Sequence, residues 1–334
     1  MKRPYPGLPP LVAALTTFLD NVARVSIVDA SQADIEAARA KVYPTRPPFS
    51  WITGRVDPSV AVDDGSAPVR DGASIPLRWY TPAGTKGATP VLVFLHGGGW
   101  VQGSTRMYDP LCTHLAAELE VVVVSVDYRM APEHRAPVAA HDAIDVVRWL
   151  HEVGDHGIDR DRIGLCGDSA GGNLSAVVAQ ELRDLRTADG EPVIRHQALI
   201  YPATDLTMAS PSIREHSEGA ILTEAKVLAF RAHYIGDADD AVGHQDPVVS
   251  PLFGDVSGVA PALVQTADLD PIRDDGLRYA QALREAGVQV RLTNYLGLPH
   301  GFASFPGVAR AGAQSRHELV TEIRRHLVGG ASGA

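Results

Sequence analysis

Cysteine is nearly absent: the 334-residue chain holds only Cys112 and Cys166. Two thiols build no disulfide framework, and no cysteine–histidine cluster has zinc spacing, so no metal is expected. The expectation is a pair of buried free thiols in a reducing compartment, which points to the cytoplasm. Long hydrophobic runs are missing too; nothing approaches the ~20 apolar residues of a membrane-spanning helix. Positive charge is not in excess. The formal net charge is −10, which argues against nucleic acid as a partner. Internal repeats and low-complexity tracts are also lacking. What is present is an ordinary globular composition, 45% hydrophobic and 21% charged. The length suits one α/β domain with insertions as well as it suits two domains.

Lys2 and Arg3 precede an apolar stretch from Leu8 to Leu19 that loosely imitates a signal peptide. The stretch is short, opens with prolines, stops at Asp20 and has no small-residue cleavage site. Leu11, Leu15, Phe18, Leu19 and Val22 recur at helical spacing, and Pro9 and Pro10 suit a helix start. An amphipathic helix over 9–25 is therefore expected. A second helix is expected over 31–43, with Ser31 as its cap and Asp34 at the N3 position. The proline-rich segment from Tyr43 to Pro48 then serves as a connector.

From about residue 55 the pattern changes to strands. Ile75, Leu77 and Trp79 alternate with Pro76, Arg78 and Tyr80, the mark of a half-buried antiparallel strand. Unbroken apolar runs follow at 91–95, 121–126, 163–166, 198–201 and 262–266, as in strands covered on both faces. Helical segments fall between them at 107–119, 137–152, 171–186 and 273–287. Alternating strands and helices predict a mostly parallel sheet. Residues 205–250 break the rhythm and carry no strand signal. Leu222 to Tyr234 reads as a helix with Thr223 as its cap. This insertion and the N-terminal helices are expected to form a lid over the carboxyl ends of the strands, where open α/β sheets place ligands.

Gly167-Asp168-Ser169-Ala170-Gly171-Gly172 follows one apolar run and opens a small-residue helix. In that context Gly-x-Ser-x-Gly reads as a nucleophile elbow, with Ser169 as nucleophile. A serine hydroxyl needs a base beside it. His300, in the Pro/Gly-bounded loop Leu298-Pro299-His300-Gly301-Phe302, stands in the chain order such hydrolases use. His114, His141, His151, His317 and His326 fall in helical patterns. The acid should follow the run 262–266. Asp274 and Asp275 look like the first turn of the next helix, where carboxylates offset the dipole. That leaves Asp268 and Asp270, which sequence physics does not separate. Upstream, His96-Gly97-Gly98-Gly99-Trp100 offers unshielded backbone N–H groups that, with the N–H of Ala170, suit an oxyanion. His96 is read as a brace for that loop.

Taken together, these motifs resemble the hormone-sensitive-lipase-like family of α/β-hydrolase esterases, the bacterial group IV type. The likeness rests on six motifs in the family's order: His96 to Trp100, Asp127 to His134, Gly167 to Asn173, Tyr201 to Asp205, Asp270 to Asp274, and His300 to Phe302. It implies an α/β-hydrolase fold, with an eight-stranded sheet flanked by helices and a helical cap. The cap would comprise residues 1–50 and the insertion 205–250, the core residues 51–204 and 251–328, and residues 329–334 a flexible tail. The resemblance selects Asp270 as the acid of a Ser169–Asp270–His300 triad and assigns the oxyanion donors to Gly98, Gly99 and Ala170. It implies hydrolysis of short- to medium-chain acyl esters without a cofactor, and a possible homodimer. Trp100 is a candidate wall of the acyl pocket. Asp168, Arg129 and Glu133 are read as loop supports. Met130 and the Arg135-Ala136 pair depart from the family pattern and bear on substrate fit. Three other readings are an amide, lactone or acetylated-metabolite hydrolase, a non-catalytic receptor, and an interfacial lipase. Retention of His300 weighs against the receptor, and an aromatic content of 6% weighs against the lipase.

Overall fold

The strand-forming runs are rich in valine, leucine and isoleucine, whose branched side chains suit a pleated surface covered on both sides. In the computed structural model they form one eight-stranded sheet in the order β1-β2-β4-β3-β5-β6-β7-β8. The structure describes residues 5, 7–22, 26–42, 44–154, 157–236 and 241–329. The expected tail beyond Gly329, residues 23–25 and 43 of the expected helices, the side chain of Val22 and residues 237–240 of the insertion lie outside the described residues.

Helices α1 (Pro10–Val22), α2 (Gln32–Arg39) and α3 (Phe49–Thr53) come first. Ser31 and Asp34 form the expected reciprocal cap of α2. The five-residue helix α3 was not expected; its Phe-Ser-Trp-Ile-Thr run is too short to show a period. Strands β1 (Val60–Pro68) and β2 (Ser74–Pro82) form an antiparallel hairpin at one edge. Ile75, Leu77 and Trp79 are buried as the alternation predicts, but Tyr80 on the other face is buried too. Helix α4 (Asp109–Leu119) covers that face, and the Tyr80 hydroxyl donates to Asp109 Oδ1 at 2.8 Å.

The remaining strands are β3 (Thr89–Leu95), β4 (Val122–Val126), β5 (Ile158–Asp168), β6 (Ile194–Ile200), β7 (Ala262–Leu269) and β8 (Val290–Pro299). All six run parallel; β2 meets β4 antiparallel. Every residue of β4 is fully buried. Strand β5 begins five residues before its apolar run because Ile158 and Asp159 pair with β3 at the sheet's amino-terminal rim. Helices α5 (Val138–Glu152), α6 (Ala170–Glu181), α9 (Arg273–Glu285) and α10 (Arg310–Ile323) flank the sheet.

The insertion carries α7 (Pro211–Glu215) and α8 (Glu224–Ile235). The Thr223 hydroxyl caps α8 by accepting from the Lys226 N–H. The indole of Trp100, after β3, stacks flat on the ring of Tyr234 at 4.4 Å, and the Ala136 N–H donates to Tyr234 O. Helix α8 therefore lies over the loop that leaves β3. The sheet order reverses at β3, which has β4 on one side and β5 on the other. The loops from β3 and β5 thus diverge at their carboxyl ends and open a crevice at the switch point.

Candidate active site

Strand β5 must turn into α6 within one residue, so the backbone at Ser169 is forced to φ 53° and ψ −118°. A non-glycine residue there is strained by ~1–3 kcal/mol and needs its surroundings to hold it. The Ser169 N–H donates to Ile200 O at 2.8 Å, and Ser169 O accepts from the Asn173 N–H at 3.0 Å. The tightness also explains the glycines. A Cβ on Gly171 would lie 1.8 Å from Leu95 O, and one on Gly167 would lie 2.3 Å from Gly171 O.

Asp270 and His300 arrive on the loops after β7 and β8. His300 Nε2 lies 2.9 Å from Ser169 Oγ, and Nδ1 lies 2.7 Å from Asp270 Oδ2. A carboxylate only accepts, so Nδ1 carries the proton and Nε2 is left to accept from the serine hydroxyl. Asp270 is fully buried, with Oδ1 accepting from the Ile272 N–H at 3.0 Å. The ring of Tyr201, after β6, packs against the imidazole at 4.6 Å. Asp268 faces elsewhere; its Oδ2 accepts from the Gly297 N–H at 3.3 Å. The structure thus brings Ser169, His300 and Asp270 into one chain of hydrogen bonds and leaves Asp268 out of it.

The glycine loop sits opposite. The Gly97 N–H is committed, donating to Asp168 Oδ1 at 2.8 Å and to the Tyr108 hydroxyl oxygen at 3.2 Å. Gly98 has φ 125° and Gly99 has φ 62°, both favouring glycine. Among the described residues the N–H groups of Gly98 and Gly99 donate to no protein acceptor. Ala170 is the first residue of α6, so its N–H has no acceptor within the helix. A Cβ on Gly99 would lie 2.3 Å from the ring of Phe230, which reaches down from α8. Trp100 is only 3% exposed, so its indole fastens this loop to α8 through Tyr234.

The supports act as expected. His96 is fully buried, stacks on Tyr128 at 4.4 Å, and has Nδ1 2.8 Å from Gly97 O. Burial pushes the imidazole of His96 down, away from the charged form. Burial pushes Asp168 up to about 6, against the pull of the Tyr108 hydroxyl and the Gly97 N–H. Arg129 grips Asp142 through Nε and Nη2. Arg39 on α2 grips Glu133 with two N–H groups, each at 2.8 Å, and holds that carboxyl down at about 2.

Some residues of this region carried no sequence signal. Asp275 does lie in the first turn of α9, but it is only 2% exposed. Its Oδ1 accepts from Ser210 Oγ at 2.7 Å and its Oδ2 from the Asp205 N–H at 3.2 Å, which ties the start of the insertion to α9. Burial pushes this carboxyl up to about 8. Phe230 and Tyr234 were likewise unmarked, because a helix pattern shows no partner about 130 residues away. Among the described residues no three histidine, cysteine or carboxylate side chains gather as metal ligands. No helix among them is long and apolar enough to cross a membrane.

Comparison with known proteins gives the family. The profile of a family described by its alpha/beta hydrolase fold matches residues 92–304. The carboxylic ester hydrolase LipN of Mycobacterium tuberculosis is 44% identical over 272 residues, covering 80% of this chain and 71% of that protein. An ethyl acetate hydrolase of Pseudomonas putida is 36% identical over 280 residues, covering 83% of this chain and 86% of its own. Among solved structures, a thermostable esterase from Pseudomonas putida superposes with a TM-score of 0.82 at 31% identity, covering 97% of this chain and 99% of that one.

Proposed function

The chain belongs to the α/β-hydrolase family, among its hormone-sensitive-lipase-like esterases, and we propose that Ser169, His300 and Asp270 cleave short- to medium-chain acyl esters through an acyl-enzyme. It is a carboxylic ester hydrolase. The single observation that carries the assignment of the triad is the imidazole of His300, held 2.7 Å from Asp270 Oδ2 and 2.9 Å from Ser169 Oγ.

In the first half of the cycle, Ser169 Oγ attacks the ester carbonyl while His300 Nε2 takes its proton. Asp270 keeps the ring oriented and stabilises the imidazolium that forms. The carbonyl oxygen becomes an oxyanion, held by the N–H groups of Gly98, Gly99 and Ala170, each contributing about 10²–10³-fold in rate. His300 then protonates the leaving alcohol. Water repeats the sequence on the acyl-enzyme and releases the acid. The cycle needs no cofactor. Phe230 and the N-terminal helices cap the acyl pocket, and Trp100 backs it through Tyr234. Cys112 and Cys166, both buried and unpaired, support a cytoplasmic location.

The acyl preference is tested with p-nitrophenyl esters from acetyl to palmitoyl. kcat/KM should peak between acetyl and octanoyl and fall by about tenfold or more at palmitoyl, the size of one misfitted contact in an apolar pocket. A maximum at palmitoyl would overturn the short-chain reading.

Asp168 supplies a second prediction. Asp168→Ala leaves the Tyr108 hydroxyl without its acceptor and the Gly97 N–H with only its longer bond to that hydroxyl oxygen. A buried orphan costs about 1–3 kcal/mol, and the glycine loop loses its carboxylate anchor. kcat should fall about 10–100-fold with little change in KM, because the oxyanion is met only after binding. A change confined to KM would show that Asp168 acts on substrate binding instead.

A further inference from the structure

Arg316, on α10, is a buried cation without a counter-charge among the described residues. It is only 9% exposed, yet no carboxylate among the described residues lies within ion-pair distance of it. Of its N–H groups, Nη2 donates to Thr53 O at 2.9 Å, while Nε has no protein partner and Nη1 makes no hydrogen bond among the described residues. Burial draws the guanidinium down to about 10, which leaves it charged near neutrality. Burying a charge unpaired is costly; Arg78, bonded to Asp109 on α4, and Arg291, bonded to Glu318 on α10, each hold a carboxylate.

The guanidinium lines a cavity of about 500 Å³ between α3, α4, α10 and the segment after Phe305. Its walls are built rather than accidental. Gly54 has φ 97°, and a Cβ there would lie 2.7 Å from Arg316 Nη1. A Cβ on Gly307 would lie 1.5 Å from Trp51 O, and the Gly307 N–H donates to Ile52 O at 3.1 Å. Trp51, Pro110, Pro306 and Val320 make the walls apolar, while Arg55 and His114 add polar groups. Burial and the neighbouring Arg316 push His114 down, toward the neutral imidazole. Glu118 stands on the lining as well and disfavours a multiply charged ligand. None of the lining residues belongs to the Ser169 site or its glycine loop.

From this geometry we infer that the Arg316 cavity is a second binding site, which takes a small organic carboxylate with an apolar body. The planar fork of a guanidinium matches a carboxylate edge-on, and the apolar walls would cover a chain of several carbons. The volume lies within the usual range of small-molecule sites. The choice of a carboxylate rests on this cavity and not on the reaction at Ser169.

The test is calorimetric titration of sodium hexanoate into full-length protein whose Ser169 site has been blocked with phenylmethylsulfonyl fluoride. One equivalent should bind with a millimolar Kd, and Trp51 fluorescence should change in step. Arg316→Met should weaken binding about tenfold or more, the loss of a charge-assisted pair. Trp51→Ala, at an exposed position that leaves the core intact, should weaken it too and decides the matter if Arg316→Met does not fold. No binding to the blocked protein would overturn the inference, as would undiminished binding to the variants. Inorganic phosphate that displaces hexanoate as well as hexanoate itself does would also overturn it, since the site would then read charge alone.

Discussion

Ser169→Ala should lower kcat for p-nitrophenyl butyrate by about 10⁴-fold or more while KM stays near that of the parent. At ~1.4 kcal/mol per tenfold, that is a loss of ~5.5 kcal/mol of transition-state stabilisation. The size follows from the geometry. The hydroxyl that would form the acyl bond is gone, and His300 Nε2 has only water to activate. The glycine loop still meets the developing oxyanion, so a residual rate above the uncatalysed one is expected. The fold should survive. The backbone anchors of Ser169 to Ile200 and Asn173 are main-chain bonds that alanine keeps. Thermal unfolding and near-ultraviolet circular dichroism check that the loss is chemical. Activity within about tenfold of the parent would remove Ser169 from the mechanism.

Asp270→Asn should be nearly as severe, about 10⁴-fold in kcat, despite equal size and shape. The amide oxygen can still accept from the Ile272 N–H, which puts the amide nitrogen toward His300. The imidazole then meets a donor at Nδ1 and settles in the tautomer with its proton on Nε2. That proton points at Ser169 Oγ, so the ring no longer accepts from the hydroxyl. Asp268→Asn is the control. Its carboxylate meets the Gly297 N–H and not the imidazole, so activity should change by about twofold or less. Steady-state kinetics of the pair distinguishes the two aspartates; equal losses would contradict the assignment.

That pair also shows where the sequence stops being readable. An elbow, a glycine loop and a late histidine carry local signals, because each demands small residues or a turn at a fixed place. The acid does not. Both read as loop residues in the sequence, but β7 runs on through Asp268 to Leu269, and only the point where that strand ends decides that Asp270 faces His300. The likeness to a known family selected Asp270 where residue physics did not. Tyr80 makes the same point on the sheet. Alternation placed it outward, but α4 packs on that face, and packing between distant elements overrides a period-2 pattern. Asp275 looked like one more first-turn carboxylate; its bonds to Ser210 and Asp205 exist only once the insertion has folded back onto α9. Phe230 over Gly99 and Tyr234 under Trp100 belong to the same class of contact. They are set by how α8 lies over the sheet, which no single segment encodes.

The most direct measurement is covalent. Incubation with a p-nitrophenyl alkylphosphonate should release one equivalent of nitrophenol and abolish ester hydrolysis. Intact mass should rise by one phosphonyl group, and peptide mapping should put it on Ser169, with Ser169→Ala protein unlabelled. A label on any other residue, or full inactivation with Ser169 unmodified, would contradict the account.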